Sequence, residues 1–236
     1  MYSNTDYSIA FAGFFIVLLI ISFYQIKLYI YSNSTYYKIT HNSWSTVKKD
    51  LGKYGEYLIY KQLKKYEESK AKLLFNIYVP NELNTLTEID VLMIHEKGIF
   101  VIESKNYSGW IFGNERDKKW TQVLANGDKN YFFNPILQNK IHIKCLSKYL
   151  PADIPVYSII VFSKRCTLKK ISIFSPNTSV MNRDDMIDEI ERYTEKDFTT
   201  ISHDKIEELY KILYPYTQLS EEEKVKHIER INQQYH

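Results

Sequence analysis

The sequence predicts an α/β fold in which a mixed β-sheet is flanked by helices. Two apolar runs rich in β-branched residues, 87–94 and 98–105, are separated only by turn material that ends in glycine, which is typical of a β-hairpin. A third apolar run, 154–163, suits a central buried strand. Helical patterns precede and follow these runs, so strands and helices alternate along the chain.

The first element is an apolar segment over residues 8–30, which follows a short tail of residues 1–7. It has no charge from Ile9 to Tyr24, and it is long enough as a helix to cross about 30 Å of hydrocarbon. Its many apolar side chains outweigh Lys27, which lies near one end. A signal peptide is the alternative, but the sequence lacks a basic n-region and a small-residue cleavage site. We therefore expect a transmembrane helix.

The charges around this segment predict its orientation. Only Asp6 precedes the span, whereas lysines follow it at positions 27, 38, 48 and 49. The positive-inside rule then predicts a single-pass membrane protein with its N-terminus outside and its main domain in the cytoplasm. The serine-rich and asparagine-rich stretch over residues 31–45 suggests a polar tether between the two.

A helix beginning near Val47 should open the main domain, to which we assign residues 46–165. One inward stripe of this helix contains Gly52, Gly55, Glu56, Ile59, Leu63 and Tyr66. An inward Glu56 is either an anchor of a metal site or half of a buried salt bridge with a lysine. The glycines each cost about 1 kcal/mol relative to alanine, so we expect close backbone packing at both.

The hairpin should bring two carboxylates and an ammonium group together. Because strand side chains alternate, Asp90 faces Glu103 whether the loop has two or four residues, and Lys105 lies on the same face. Opposed carboxylates about 4 Å apart repel by roughly 4 kcal/mol at an effective dielectric near 20. Mg²⁺ would relieve this repulsion. The alternative is a solvated edge hairpin, although strands that are apolar on both faces predict burial.

Several motifs around the hairpin resemble one family. The order Asp90, hairpin, Glu103-Ser104-Lys105 resembles the PD-(D/E)XK nuclease superfamily. Upstream, residues 52–56 resemble a G-x-x-G-E helix start; downstream, 105–113 resemble K-N-x-x-G-x-x-x-G, followed by Trp120 and the run 134–138. Together, over roughly residues 46–165, these motifs resemble the nuclease-related domain (NERD) family. The main departure is Ser104, where many relatives carry an apolar residue.

The resemblance implies a restriction-endonuclease-like core that hydrolyses phosphodiester bonds with Mg²⁺, for which Mn²⁺ could substitute. The metal ligands would be Asp90, Glu103 and the backbone carbonyl of Ser104. The catalytic set would be Glu56, Asp90, Glu103, Lys105 and Gln138. The partner would be nucleic acid, with DNA favoured over RNA. A non-catalytic nucleic-acid-binding or scaffolding module with the same fold is the alternative.

Asn134 and Pro135 are a good helix start, with asparagine as the cap and proline in the first turn. Gln138 falls one turn later, and Ile141, Cys145 and Tyr149 continue its side of the helix. Gln138 could therefore reach the site, or it could serve only as a capping or structural residue.

Residues 166–236 are predicted to form a mostly helical extension. Helical patterns cover 183–193 and 204–213, and Ser220 with Glu223 forms a capping box for a last helix. These helices could pack, stay solvated, or bind a protein partner or a second copy. In a third interpretation these helices carry the function by binding other proteins, and the chain is a membrane-anchored interaction subunit.

Composition sets wider limits on the class of protein. At 236 residues the chain can bury one sizeable core. A net charge of +3 is too small to establish nucleic-acid binding. Cys145 and Cys166 lack metal-ligand spacing, and we expect both to be reduced and packed in the core. The sequence has neither a glycine-rich phosphate loop nor a G-x-S-x-G turn, which argues against P-loop and serine-hydrolase chemistry.

Overall fold

The computed structural model describes residues 4–81, 85–196, 200–220, 222, 223 and 226, with side chains from residue 11 onward except at Lys196. The described helices are α1 (Asn4–Ser32), α2 (Thr35–Thr40), α3 (Trp44–Lys49), α4 (Leu51–Glu68), α5 (Pro135–Leu146), α6 (Met186–Lys196) and α7 (His203–Leu213). The described strands are β1 (Lys72–Pro80), β2 (Leu86–His95), β3 (Gly98–Lys105), β4 (Gly109–Asn114), β5 (Lys119–Val123), β6 (Lys129–Phe133), β7 (Val156–Phe162), β8 (Cys166–Ser172) and β9 (Thr178–Asn182).

The strands form two sheets. The larger has the order β1-β2-β3-β7-β9, and the smaller has the order β6-β5-β4-β8. In the larger sheet β1, β2 and β3 are antiparallel neighbours, whereas β3, β7 and β9 run parallel. Helices α4 and α5 both contact β3. The predicted α/β class, with a mixed sheet flanked by helices, is confirmed.

The hairpin between β2 and β3 has the predicted register. Its loop has two residues because His95 pairs with Gly98, and Leu92 pairs with Val101. Gly98 has a φ of 140°, and a Cβ at this position would lie 2.7 Å from the carbonyl oxygen of Pro155. Only glycine fits such a close backbone approach.

Strand β7 is the buried central strand expected over 154–163. It lies between β3 and β9, and its side chains are buried from Tyr157 to Phe162. Two of them, Ile160 and Phe162, pack against the smaller sheet. The strand begins after Pro155, whose missing N–H cannot join the ladder. Strand β7 therefore belongs to the larger sheet and also packs against the smaller one.

Helix α1 contains the expected apolar segment. From Phe11 to Ser32 it is long and apolar enough to cross a membrane, and its side chains are exposed except at its C-terminal end, where Leu28 is half-buried and Tyr31 is buried. The expected tether over 31–45 is different: Ser34 caps α2, and Tyr36 within α2 is fully buried in the core. Two of the serines that suggested a loop, Ser34 and Ser43, are helix caps, because their hydroxyls accept hydrogen bonds from the first turns of α2 and α3.

The helix expected from Val47 is broken at Asp50. Asp50 ends α3 and caps α4, where its carboxylate accepts a hydrogen bond from the backbone of Lys53 at 3.1 Å. The inward stripe of α4 is buried as expected, except that Gly52 is exposed. A Cβ on Gly55 would lie 3.0 Å from Ser104 Oγ, so close packing holds at Gly55 but not at Gly52.

The chain after residue 165 contains more than helices. Strand β8 pairs with β4 and β9 pairs with β7, so both sheets are completed there. Helices α6 and α7 then bury one face each against the core. The hydrogen bonds between Ser220 and Glu223 confirm the capping box. The rest of that last helix falls largely outside the described residues. Of the expected tail, residues 1–3 also fall outside them, whereas residues 4–7 belong to α1.

Candidate active site

Asp90 and Glu103 lie side by side at one end of the β2–β3 hairpin. The pairing of these strands runs as far as Val91 and Ile102, so both acids follow directly on the last pair. Asp90 Oδ2 accepts a hydrogen bond of 2.8 Å from the backbone N–H of Ser104. This bond fixes the Asp90 carboxylate against β3.

Lys105 and Gln138 complete the same cluster. Lys105 Nζ lies 2.6 Å from Glu103 Oε1 and donates a hydrogen bond of 3.0 Å to Gln138 Oε1. Gln138 is carried by α5, whose Asn134 cap accepts a hydrogen bond from the backbone of Ile136. Four of the predicted site residues are therefore close together, although the sequence separates Asp90 from Gln138 by 48 positions.

His142 belongs to this cluster and was not anticipated. Its Nε2 lies 3.2 Å from Glu103 Oε2, and its Nδ1 lies 2.8 Å from Thr87 Oγ1. The stripe expected through Ile141 is wrong, because Ile141 is 47% exposed. The buried face of α5 instead includes His142. A polar residue four positions after Gln138 was the available signal, since residues i and i+4 share a helix face.

Glu56 lies next to the cluster, and its carboxylate is held by hydrogen bonds from uncharged side chains. Its Oε2 accepts hydrogen bonds from the Tyr36 hydroxyl at 3.2 Å and from Asn76 Nδ2 at 3.3 Å. Among the described residues it forms no salt bridge with a lysine, so that alternative is not realised. Asn76 also donates to Glu88 Oε1 at 3.0 Å, and one amide group thereby links two carboxylates.

Asn76 adopts an unusual backbone conformation for a strand. Its φ is 51°, in the left-handed region that asparagine tolerates better than most residues. On either side of it, Phe75 pairs with Val91 and Ile77 pairs with Ile89. The interruption lies beside Asp90, and it allows the Asn76 side chain to reach Glu56.

Comparison with known proteins identifies the family. The model of the nuclease-related domain matches residues 51–163. An uncharacterized protein of Bacillus anthracis is 32% identical over 195 residues, which cover 81% of this chain and 90% of the relative. The chain belongs to the nuclease-related domain (NERD) family. No solved structure matches it.

The NERD landmarks have physical reasons in this fold. Gly113 packs against Trp120, and any Cβ at position 113 would overlap the indole ring. Trp120 in turn stacks on Phe162 with ring centroids 6.1 Å apart, and Phe162 pairs with Lys105 across β3 and β7. The glycine and the tryptophan of the smaller sheet therefore support the strand that carries the site lysine.

Burial and charge separate the protonation behaviour of the acids in the NERD site. Burial, then the charges of Glu103 and Glu56, raise the pKa of Asp90 well above its usual range. Burial and the charge of Glu88 raise the pKa of Glu56 to about 7. Burial alone would raise the pKa of Glu103, but Lys105 and His142 outweigh it and lower the pKa to about 2.

The donor set fits a hard divalent cation. Asp90, Glu103 and the Ser104 carbonyl offer oxygen ligands, which Mg²⁺ prefers. The raised pKa of Asp90 reflects burial first and the neighbouring negative charges second, and a bound cation would offset both. Within the described ranges no three His, Cys, Asp or Glu residues form a metal-binding group. A cation at this position would have two carboxylates, a number that Mg²⁺ accepts because it commonly keeps several waters.

Proposed function

We propose that this NERD protein is a membrane-anchored nuclease that hydrolyses phosphodiester bonds of nucleic acid with Mg²⁺. The observation that carries the proposal is the ammonium group of Lys105, held between Glu103 and Gln138 beside Asp90. A cation of this kind adjoining a carboxylate pair suits the binding of a phosphate together with a metal ion. Mn²⁺ would serve in place of Mg²⁺.

In the proposed site Asp90, Glu103 and the carbonyl of Ser104 would hold the metal. When bound, Mg²⁺ would neutralise phosphate charge and lower the pKa of water. The Glu103 oxygens already contact Lys105 and His142, so ligation by Glu103 would use its remaining lone pairs. Asp90 Oδ2 would stay fixed by the backbone of Ser104.

Lys105 would position the attacking water and stabilise charge in the transition state. Burial would lower its pKa, but the charges of Glu103 and Asp90 outweigh burial and raise it. Without metal the side chain therefore stays protonated and donates hydrogen bonds, which suits the positioning of water and phosphate oxygens. Gln138 would hold the ammonium group in place through the 3.0 Å hydrogen bond.

Glu56 would act from behind Asp90. Its charge is one of the causes of the raised pKa of Asp90, so the two carboxylates are electrostatically linked. With a pKa of about 7, Glu56 can hold or release a proton near neutral pH. We propose that it keeps Asp90 in place and adjusts the charge of the site.

The proposed location is the cytoplasmic face of a membrane, with α1 in the bilayer. The lysines that follow the span support this orientation. The proposed substrate is DNA in preference to RNA. Helices α6 and α7 pack on the core, which supports a structural role, while their outer faces stay available for a protein partner or a second copy.

The test is a cleavage assay of the full-length protein in detergent, on duplex and single-stranded DNA and RNA, with Mg²⁺ or with EDTA. Cleavage should require the metal and should disappear in Glu103→Gln. Glu191→Gln, at an exposed pair with Lys65, is the matched control and should cleave normally. Nucleic-acid binding without any cleavage by the parent would instead support the non-catalytic binding module.

A further inference from the structure

Two arginines lie at the strand ends next to the candidate active site. Lys105, Phe162 and Asn182 are in register across the parallel strands β3, β7 and β9. The next positions along these strands, Asn106, Ser163 and Arg183, therefore share the carboxyl edge of the sheet. Ligands of α/β proteins commonly bind at this edge.

Arg183 is half-buried, yet its guanidinium group makes no hydrogen bond or ion pair within the described part of the chain. The adjacent acid, Asp184, is already paired with Lys164 at 2.5 Å. Burial, the largest influence, lowers the pKa of Arg183 even though the charge of the adjacent Asp184 acts to raise it. A half-buried guanidinium group whose N–H donors make no hydrogen bond is costly unless a ligand accepts from them.

Arg165 approaches the same edge from the start of β8. Its guanidinium donates to the backbone carbonyl of Asn106 at 2.6 Å and to Asn106 Oδ1 at 3.0 Å. Both bonds come from the same guanidinium nitrogen, so the N–H donors on the other two nitrogens take no part in them. Asn106 directly follows Lys105, which fixes the Arg165 side chain one residue away from the site.

The gap between these groups is a cleft too narrow to hold a water molecule, so a phosphate would bind at its rim rather than inside it. It is lined by Arg183 and Lys105 together with small or uncharged side chains, among them Gly55, Ser104 and Asn106. No carboxylate lines it, whereas the neighbouring metal-fitting cluster is rich in carboxylates. The molecule therefore presents an acidic position and a basic position side by side along one edge.

We propose that Arg183, assisted by Arg165, binds the phosphodiester next to the one that reacts. This inference rests on the proposed nuclease function and refines it, because the substrate must then be a polynucleotide with at least two consecutive phosphodiesters. Guanidinium groups match phosphate with paired hydrogen bonds. Arg183 is thus a substrate-binding residue, while Lys105 acts at the scissile phosphate.

The first test measures binding without catalysis. A fluorescein-labelled single-stranded DNA of 20 nucleotides is titrated with each full-length protein in detergent, with EDTA present, over a range of salt concentrations. The proteins are the parent, Arg183→Gln and Arg165→Gln. Arg183→Gln should bind about tenfold more weakly, as expected for loss of a charge-assisted contact. Its log–log salt slope should shrink by about 0.7, the value for one phosphate on a single strand.

Arg192→Gln is the matched control. Arg192 is an arginine on α6 whose partner Glu189 is three residues away, and it does not line the cleft. Binding by Arg183→Gln equal to that of Arg192→Gln would overturn the inference. The exposed Arg165 gives a second variant with little effect on folding, and circular dichroism checks the fold of each.

The second test uses a substrate with a single phosphodiester. Hydrolysis of bis(p-nitrophenyl) phosphate with Mg²⁺ should be the same in Arg183→Gln and parent, while cleavage of the 20-mer falls with its binding. An equal loss on both substrates would place Arg183 at the reacting phosphate and overturn the assignment. If the parent cleaves neither substrate the proposed function fails, and the EDTA titration still decides whether Arg183 binds phosphate.

Discussion

The ammonium nitrogen of Lys105 lies 2.6 Å from Oε1 of Glu103, two residues earlier on the same strand. Both side chains point to one face because strand side chains alternate with period two. Glu103 is 1% exposed, so this pair is among the most enclosed charges of the described residues. Its chemistry can be separated from its structural role by substitution.

Replacing Lys105 with methionine should abolish most cleavage while the fold survives. Methionine keeps much of the stem volume but removes the charge, so a loss of about 100-fold or more is expected if Lys105 stabilises the transition state. Single-turnover cleavage beside a binding titration at the same salt concentration measures this. Lys97→Met, at the far end of the hairpin, is the control, and an unchanged rate in Lys105→Met would refute the role.

Asp90→Asn should remove the response to metal. In the parent, Mg²⁺ or Mn²⁺ should raise the melting temperature, because a ligand that binds only the folded state stabilises it. Without metal the variant should be at least as stable as the parent, since an amide avoids the cost of burying the Asp90 charge and its repulsion with Glu103 and Glu56. The same metal-induced shift in both proteins would exclude Asp90 as a ligand.

His142→Ala should weaken metal binding although His142 is not a ligand. His142 Nε2 contacts Glu103 Oε2, and residues that orient a ligand typically contribute about 10- to 100-fold in metal affinity or activity. The Mg²⁺ concentration that gives half-maximal cleavage should rise by a factor in this range. The exposed His203→Ala is the control. Loss of stability with an unchanged Mg²⁺ requirement would assign His142 a purely structural role.

Glu115→Gln tests a structural carboxylate away from the site. Burial alone would raise its pKa, but hydrogen bonds from Lys140, Ser175 and the backbone of Phe174 outweigh it and lower the pKa to about 2. Since the ordinary value is 4.5, the folded state binds the proton less well. Its stabilisation is therefore complete above pH 4.5 and is lost as the pH falls towards 2.

The expected loss of stability in Glu115→Gln is about 1–2 kcal/mol at pH 7, allowing for solvent around Lys140. The difference between parent and variant should shrink as the pH is lowered below 4.5, as measured by urea unfolding. A difference that stays constant between pH 7 and pH 3 would contradict the assignment.

Orientation across the membrane can be tested with protease. If the span places the domain in the cytoplasm, protease added to intact cells should leave residues 50–236 intact, and permeabilised cells should lose them. The lysines after α1 are the physical reason for this expectation. Digestion of the domain from outside would reverse the orientation.

Local patterns predicted the parts of the fold that local rules govern. Alternation in two apolar runs gave the β2–β3 register and so the meeting of Asp90 with Glu103, and the Asn134 cap located α5. Three strands of the smaller sheet, β5, β6 and β8, escaped prediction because strands such as Lys129–Phe133 are short and largely exposed. Asn76 and His142 escaped because a strand interruption and a cross-element contact depend on tertiary packing.

The short connection between α1 and α2 restricts the position of the domain relative to α1. Only Asn33 and Ser34 separate the two helices, and both Tyr31 and Tyr36 are buried. A flexible tether of 15 residues would have a root-mean-square end-to-end distance of about 20 Å, and the domain could then move over that range. With α1 in a bilayer, the domain would instead stand at a fixed height and tilt, so the proposed nuclease would act only on nucleic acid that reaches the membrane surface.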